Sequence, residues 1–219
     1  GPSMHLPSMT RNLLWAIAIV YLAQQFLGDA LFPFMLWPIG DFPIGTGSDG
    51  LPITAGFQPW QVLTYGFMHG GFGHLFFNGI ALYQFGSRLE QLWGPKKYLT
   101  FFLACVVGAA LCQLLFMTLL PQTAGPTIGA SGGVYGLLLA YGMTFPRERV
   151  MLLIPPVPMS ARTLVIVFGA LSLIMGVTGT MGGVAHFAHL GGMLFGWLLI
   201  RYWAGKPPFQ KKRKGPWGV

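Results

Sequence analysis

Apolar runs long enough to cross a lipid bilayer dominate this sequence of 219 residues and limit what it can fold into. Hydrophobic residues make up 53% of the chain and charged residues only 8%, whereas roughly 25% of the residues in a soluble domain are charged. Because lipid offers no hydrogen-bond partners, spanning runs of this kind fold as helices. The sequence therefore predicts an all-α, polytopic integral membrane protein.

Six segments are apolar enough and about long enough to span a bilayer core, although the fourth is short. Their predicted ranges are 12–28, 73–93, 97–119, 129–145, 163–179 and 184–203. We interpret residues 1–11 as an expression scar followed by a short N-terminal segment, 12–203 as one six-span domain, and 204–219 as a basic tail. No cleavable signal peptide is expected.

Charge predicts the orientation of the spans. With a cytoplasmic N-terminus, all 13 lysines and arginines fall on the cytoplasmic side, and the opposite loops 29–72, 120–128 and 180–183 contain none. This distribution follows the positive-inside rule, so we expect both termini in the cytoplasm. The formal net charge of +8 is explained by this pattern and by the tail cluster at 211–214, which predicts contact with anionic membrane lipid and not with nucleic acid. A prokaryotic plasma membrane is the expected location.

The first outer loop, residues 29–72, is too long for a simple connector. It mixes aromatic residues with glycine and proline, and loops of this length are usually functional or disordered. We predict an interfacial element that lies partly in the membrane. An ordinary belt of interfacial aromatic residues remains the alternative.

Polar residues from three separate spans are predicted to lie at one depth. His74 and Asn78 share a helical face in span 2, Ser131 begins span 4, and His186 and His189 lie near the start of span 6. All three spans enter from the outer side, and buried polar residues in spans are rare and often functional. Taken singly, Ser131 fits a helix crossing, Asn78 an interhelical bond, and His186 either packing or site support; His69 fits an interface residue.

Small residues predict close packing of spans 4 and 6. Glycines recur at the four-residue spacing that lets helix backbones approach each other. They are Gly129 with Gly133, Gly132 with Gly136, and Gly192 with Gly196. Close approach of these two helices is expected to bring His189 within hydrogen-bond reach of Ser131.

A serine becomes a nucleophile when a neighbouring base takes its proton, and His189 is the base that this packing predicts. We place no acidic residue inside a span, so a Ser131–His189 dyad is expected and a triad is not. Tyr135, one turn after Ser131, is expected to stack on the imidazole. The backbone N–H groups of Ala130 and Ser131 at the helix start, with the side chains of His74 and Asn78, are the expected oxyanion donors.

At these residues the chain resembles the rhomboid intramembrane serine proteases. The resemblance covers about residues 12–203 and rests on Gly129-Ala130-Ser131-Gly132, on Ala188-His189 with Gly192 and Gly196, and on His74-Leu75-Phe76-Phe77-Asn78. It implies a six-helix bundle, the Ser131–His189 dyad, and no metal or cofactor. It also implies substrates that are single-span membrane proteins cut near helix-destabilising residues. Gln61 stands where many relatives have arginine, so a role for that arginine is not carried over.

Three other functions compete with this interpretation. The chain is alternatively a non-catalytic rhomboid-like protein that binds transmembrane helices, a transporter with an intramembrane His and Asn path, or a metalloprotease using His74, His186 and His189. No H-E-x-x-H helix supports the last of these. The sequence does not indicate an oligomeric state.

Overall fold

Most of the chain is helical in the computed structural model, which describes residues 6–151, 156–178 and 185–209. The α-helices are α1 (Ser8–Leu27), α2 (Gln61–Thr64), α3 (Phe72–Ala81), α4 (Ser87–Trp93), α5 (Pro95–Leu119), α6 (Ser131–Thr144), α7 (Ala161–Thr178) and α8 (His186–Trp203). Short 3₁₀ turns cover Gly28–Phe34, Tyr65–Phe67 and Pro121–Thr123. The first five residues of the predicted N-terminal segment 1–11, the loop 180–183 and the tail cluster at 211–214 lie outside the described residues.

Two small antiparallel hairpins were not predicted from the sequence. Strand β1 (Phe42–Thr46) pairs with β2 (Pro52–Ala55), and β3 (Arg149–Met151) pairs with β4 (Pro158–Ser160). Each strand has five residues or fewer, and three of the four contain proline, so no clear alternation marks them in the sequence. The described residues are therefore mostly helical, with two short hairpins and one isolated bridge between Leu36 and Thr127.

Three of the helical segments that the structure describes are long and apolar enough to cross a membrane. They are Ser8–Phe34, Pro95–Leu119 and Ala161–Thr178. Helix α6 has 14 residues and is therefore about 21 Å long, shorter than the roughly 30 Å hydrocarbon core. The count of six spans stays a prediction.

The second predicted span is one continuous helical path with an irregular centre. A π-helical turn at Leu82–Gly86 joins α3 to α4. Such turns are rare and insert an extra residue into a helix. At Gly86 a side chain would collide with the hydroxyl of Tyr98 on α5, so the turn lies where the two helices come very close.

Helix α5 lies at the centre of the bundle. Half of its most apolar window (50%) is buried inside the protein, compared with 11% for the segment containing α1 and 17% for α7. Its buried residues include Tyr98, Phe101, Phe102 and Cys105. Helices α6 and α8 both pack against it and against each other, so α5 forms the back wall on which these two helices are placed.

Gln61 organises the first long loop. Its side chain is 1% exposed, accepts a hydrogen bond from the Trp37 N–H at 3.1 Å, and donates to the carbonyls of Pro33 and Gly56 at 3.0 and 3.1 Å. One neutral amide thus satisfies three backbone groups of the loop. Gln61, which departs from the motif discussed above, is thus a buried residue that holds the loop together.

The same loop is paired to the segment that leads into α6. Leu36 and Thr127 exchange two backbone hydrogen bonds of 3.0 and 2.8 Å, and Leu36 is fully buried. Because Thr127 lies four residues before Ser131, the loop held by Gln61 also supports the start of α6.

Our expectation that no acidic residue lies inside a span is wrong. Glu90 lies within 73–93 and is only 4% exposed. Its carboxylate accepts hydrogen bonds from the Met9 and Thr10 N–H groups, at 2.9 and 2.6 Å, and from the Thr10 hydroxyl at 2.8 Å. A carboxylate at a helix N-terminus satisfies free N–H groups and complements the helix dipole. Glu90 therefore anchors the start of α1. Its described hydrogen bonds go to Met9 and Thr10 and not to His189, so it does not act as the acid of a triad.

Replacing Glu90 with alanine should destabilise the fold because it leaves two buried donors and one partly buried donor without an acceptor. We expect a loss on the order of 3 kcal/mol, or about 6–12 °C in the thermal unfolding midpoint in detergent. Gln91→Ala, at an exposed position on the same helix, is the control and should leave the midpoint almost unchanged. Equal midpoints for the two variants would contradict this anchoring role.

Candidate active site

Ser131 is the first residue of α6 and is placed by the turn before it. Gly129 adopts φ +126°, a backbone conformation that L side chains rarely adopt, and its N–H donates to the Tyr65 carbonyl at 2.9 Å. A side chain at Gly129 would come within 2.7 Å of the His74 ring. This glycine is therefore part of the turn that sets Ser131 beside His74, and it does not act as a helix-packing residue as predicted.

His189 lies one turn into α8 and contacts the serine directly. Its Nε2 is 2.9 Å from the Ser131 Oγ, within ordinary hydrogen-bond range. The two residues are 58 positions apart in the chain. The histidine is 8% exposed, whereas Ser131 is partly exposed, so the pair lies at the edge of the buried interior.

Tyr135 stacks face to face on His189. The ring centroids are 4.2 Å apart and the planes differ by 6°. The His189 Nδ1 is buried and has no hydrogen-bond partner among the described residues. Packing against Tyr135, together with the contact to Ser131, is therefore what fixes the orientation of the imidazole.

The close approach of α6 and α8 depends on glycine. A side chain at Gly192 would overlap the Gly132 carbonyl, and one at Gly196 would lie 3.4 Å from the Gly136 Cα. The glycines of α6 also face α5. A side chain would meet Ala109 at 2.5 Å from Gly132, Phe102 at 2.5 Å from Gly133, and Cys105 at 2.3 Å from Gly136. The glycines of α6 thus allow this helix to pack closely against α5 as well as α8, and Gly192 sets the closest approach of α8 to α6.

A cavity of about 710 Å³ opens in front of the Ser131–His189 pair. Its lining includes all six of the predicted site side chains: His74, Asn78, Ser131, Tyr135, His186 and His189. The lining is a mixture of these polar groups with glycine, proline and apolar side chains. The geometry therefore brings one serine, three histidines, an asparagine and a tyrosine to a single concave surface.

His186 lies close to the pair without stacking on it. Its ring is edge-on to His189 with the centroids 6.3 Å apart, and it lines the cavity. This position is compatible with both of the roles considered for it, packing and site support.

The structure changes two expectations about the residues near the predicted oxyanion site. The Ala130 N–H is directed at the Nε2 of His69, 3.4 Å away, so this predicted oxyanion donor is already engaged. His69 is 1% exposed and also lies 3.1 Å from the Asn78 Nδ2, so it is a buried neighbour of the site and not an interface residue. Sequence reasoning missed it because the chain bends between His69 and α3, and no helical spacing relates it to Asn78.

Gln113 of α5 is a second site neighbour that the sequence did not reveal. It is 5% exposed, lines the cavity, and its Oε1 has no hydrogen-bond partner among the described residues. Its only sequence signal is a polar residue in the middle of an apolar helix, which is itself a functional indication in a membrane protein.

The metalloprotease alternative finds no support in the described part of the chain. No group of three or more His, Cys, Asp or Glu side chains there is arranged to hold a metal ion. His74, His186 and His189 line one cavity, but they do not form such a cluster.

Replacing Gly192 with alanine should separate α6 from α8 because the new methyl group meets backbone and not a flexible side chain. We expect a destabilisation of about 1–3 kcal/mol and a longer Ser131–His189 distance, detected as a lower unfolding midpoint and a loss of serine reactivity. Gly169→Ala on α7 is the control, since its methyl group would only touch the end of Met193 at 3.5 Å. Normal stability and reactivity in Gly192→Ala would contradict the packing argument.

Comparison with known proteins gives the family of this chain. A family model described as the rhomboid domain matches residues 56–205. Rhomboid protein 1, mitochondrial, from Saccharomyces cerevisiae is 29% identical over 146 residues, which cover 64% of this chain and 42% of that protein. Rhomboid protease GluP from Bacillus subtilis is 28% identical, covering 63% of this chain and 24% of the relative. Rhomboid protease GlpG from Yersinia pestis is 24% identical over 89% of this chain and 62% of the relative.

The chain spans less than half the length of the first two of these relatives. The match of the rhomboid domain nevertheless extends from the loop before α2 to the end of α8 and includes every residue that lines the cavity. The protein is an integral membrane protein with apolar helices, and it belongs to the rhomboid family.

Proposed function

We propose that this chain is a serine protease that hydrolyses peptide bonds in or near transmembrane segments of other membrane proteins. The observation that carries the proposal is the 2.9 Å contact between the Ser131 Oγ and the His189 Nε2 at the wall of a cavity. Two of the relatives are named as proteases, which is consistent with this chemistry.

In the proposed reaction, His189 Nε2 takes the Ser131 hydroxyl proton as Oγ attacks the carbonyl carbon of the substrate. The C–N bond then breaks, the imidazolium returns the proton to the leaving amine, and an acyl-enzyme remains. Water, deprotonated by the same imidazole, hydrolyses the ester and restores Ser131. These steps require a base within hydrogen-bond reach of the nucleophile. The 2.9 Å distance between the His189 Nε2 and the Ser131 Oγ supports this role for His189.

The dyad works without an acid behind the histidine. For Nε2 to accept the serine proton, the neutral imidazole carries its hydrogen on Nδ1, which has no acceptor among the described residues. Stacking on Tyr135 at 4.2 Å replaces the orienting role that a carboxylate has in a triad. A flat aromatic face also stabilises the imidazolium cation that forms during the reaction.

Negative charge on the attacked carbonyl oxygen needs donors at the same wall of the cavity. His74 and Asn78 line it together with Ser131, and the first N–H groups of α6 have no intrahelical acceptor. We assign the oxyanion site to the Ser131 N–H, His74 and Asn78. Ala130 is removed from the predicted set because its N–H is directed at His69.

We also propose how the helices and the cavity are oriented in the membrane. Helices α6 and α8 both begin at the cavity, and the positive-inside distribution puts that end on the outer face, with both termini in the cytoplasm. A six-span bundle then presents the serine to a transmembrane segment of a single-span protein, which enters a polar cavity from lipid. The prokaryotic plasma membrane is an expectation from the sequence only.

Purified protein in liposomes should cleave a single-span reporter peptide whose transmembrane segment contains a Gly-Gly pair. Ser131→Ala and His189→Ala should each reduce the cleavage rate at least 1000-fold, because the nucleophile or its base is missing. Ser87→Ala, in α4 and outside the cavity lining, is the matched control and should cleave at the normal rate. Cleavage by Ser131→Ala would exclude this mechanism, and a folded wild type that binds but never cleaves such reporters would favour the non-catalytic alternative.

Helix-destabilising residues in the substrate should set the rate of cleavage, because a helical peptide bond is shielded until the helix unwinds. Replacing the Gly-Gly pair by Leu-Leu costs roughly 1 kcal/mol of unwinding per residue, so we expect cleavage to slow about tenfold or more. The same replacement two turns away from the cleaved bond should have little effect. Equal slowing at both places would show that bulk hydrophobicity, and not local unwinding, limits the rate.

A further inference from the structure

His69 lies beside the site but outside the helices that carry it. It falls between the 3₁₀ turn Tyr65–Phe67 and the start of α3 at Phe72. Its side chain is 1% exposed and its ring packs edge-on against His74, with centroids 4.9 Å apart. The proposed mechanism gives it no part in the reaction, yet a buried polar ring in a membrane protein needs a reason.

Two donors converge on one nitrogen of this ring. The Asn78 Nδ2 is 3.1 Å from the His69 Nε2, and the Ala130 N–H points at the same atom from 3.4 Å. A side-chain amide can be turned over in a structure, so the first contact alone leaves the direction of the bond open. A backbone N–H can only donate, so Nε2 presents its lone pair and Nδ2, not the amide oxygen, faces it.

Burial holds His69 in the state that this geometry needs. Desolvation, together with the neighbouring His74, lowers the pKa of His69 to about 4. Protonation of Nε2 would place an N–H against two other N–H donors. At neutral pH the ring is therefore an acceptor at Nε2 and carries its hydrogen on Nδ1.

The orientation of Asn78 follows from this bond. An Asn amide nitrogen has two hydrogens; one is given to His69, and the other remains for a second acceptor. Asn78 lines the cavity with Ser131 and His74. The bond to His69 thus fixes the orientation of the amide, so that the second hydrogen of the Asn78 Nδ2 is available as a donor at the cavity wall.

Helix α1 holds His69 in place through its backbone. The Gln24 Nε2 donates to the His69 carbonyl at 2.9 Å, and the His69 N–H donates to the Gln24 Oε1 at 3.0 Å. Two parallel bonds to one residue fix both its position and its rotation. They also satisfy the polar side chain of Gln24 itself.

We infer that His69 is a positioning residue for the oxyanion site, fixing the Asn78 amide as a donor, and that Gln24 of α1 holds His69 for this task. The inference deepens the proposed protease function and rests on it. If it is correct, substitutions of His69 or Gln24 lower kcat. If the pair had a purely structural role, the same substitutions would lower only the stability of the fold.

Kinetics with the reporter peptide separate these roles. His69→Phe keeps a ring but removes the acceptor, and we expect kcat to fall roughly 10- to 100-fold with KM little changed, as when an oxyanion donor is misplaced. His69→Gln, whose Oε1 can reach the former Nε2 position, should recover most of the rate. In an Asn78→Ala background His69→Phe should have almost no further effect, because both variants remove one function. Normal kcat in His69→Phe, or fully multiplicative effects in the double variant, would overturn the inference.

The contribution of α1 has its own matched pair. Gln24→Leu should lower kcat several-fold because it releases the His69 backbone. Gln25→Leu changes an exposed neighbour whose side chain donates to the Tyr21 carbonyl of the same helix at 3.5 Å, and it should be neutral. Equal rates for both variants would remove Gln24 from the assignment.

A spectroscopic readout keeps this inference distinct from the proposed function. In protein with ¹⁵N-labelled histidine, the signal lost in His69→Phe identifies His69, and its nitrogen shifts should report an unprotonated Nε2 that changes in Asn78→Ala. A protonated Nε2 would overturn the inference even if the protein is a protease. The expected tautomer in a protein that never cleaves would instead leave the geometry standing and remove the proposed activity.

Discussion

The contact between the backbones of α6 and α8 is the constraint on which the rest of the site depends. Gly192 lies against the Gly132 carbonyl, where even a methyl group would overlap. Only at that separation does the His189 Nε2 lie 2.9 Å from the Ser131 Oγ. In lipid, helices gain little from hydrophobic association, so close packing of small residues is what holds such a pair together. Small residues therefore have a chemical consequence here, because they set the distance between a nucleophile and its base.

Buried polar side chains fix the other parts of the bundle by satisfying backbone groups. Glu90 accepts hydrogen bonds from the start of α1, and Gln61 bonds to backbone groups of the long loop. Gln24 bonds to the backbone of His69. An unsatisfied polar group is costly where water is excluded. Each of these side chains is hydrogen-bonded to backbone groups of another segment, and these bonds hold the long loop and α1 against the bundle.

Sequence reasoning succeeded where helical periodicity relates the residues. The convergence of Ser131, His189, His74 and Asn78 on one cavity followed from the depth of each residue in its helix, and the Tyr135 stack followed from its four-residue spacing after Ser131. It failed where the chain is not a regular helix: His69 lies in a bend, the π turn interrupts the second span, and the hairpins are too short to show a pattern. Glu90 was overlooked although it stands near the end of the predicted range 73–93. What the sequence could not show is its role, because its partners at Met9 and Thr10 lie about 80 positions away.

The central claim is that Ser131 is a nucleophile because His189 activates it, and covalent labelling tests this without any knowledge of the substrate. Detergent-solubilised protein would be treated with a fluorophosphonate and the modified residue located by peptide mass spectrometry. We predict a single adduct on Ser131 that is lost in His189→Ala, while both proteins keep the same unfolding midpoint. An adduct on another residue, labelling of Ser131 that does not need His189, or no adduct in folded wild-type protein would contradict the claim.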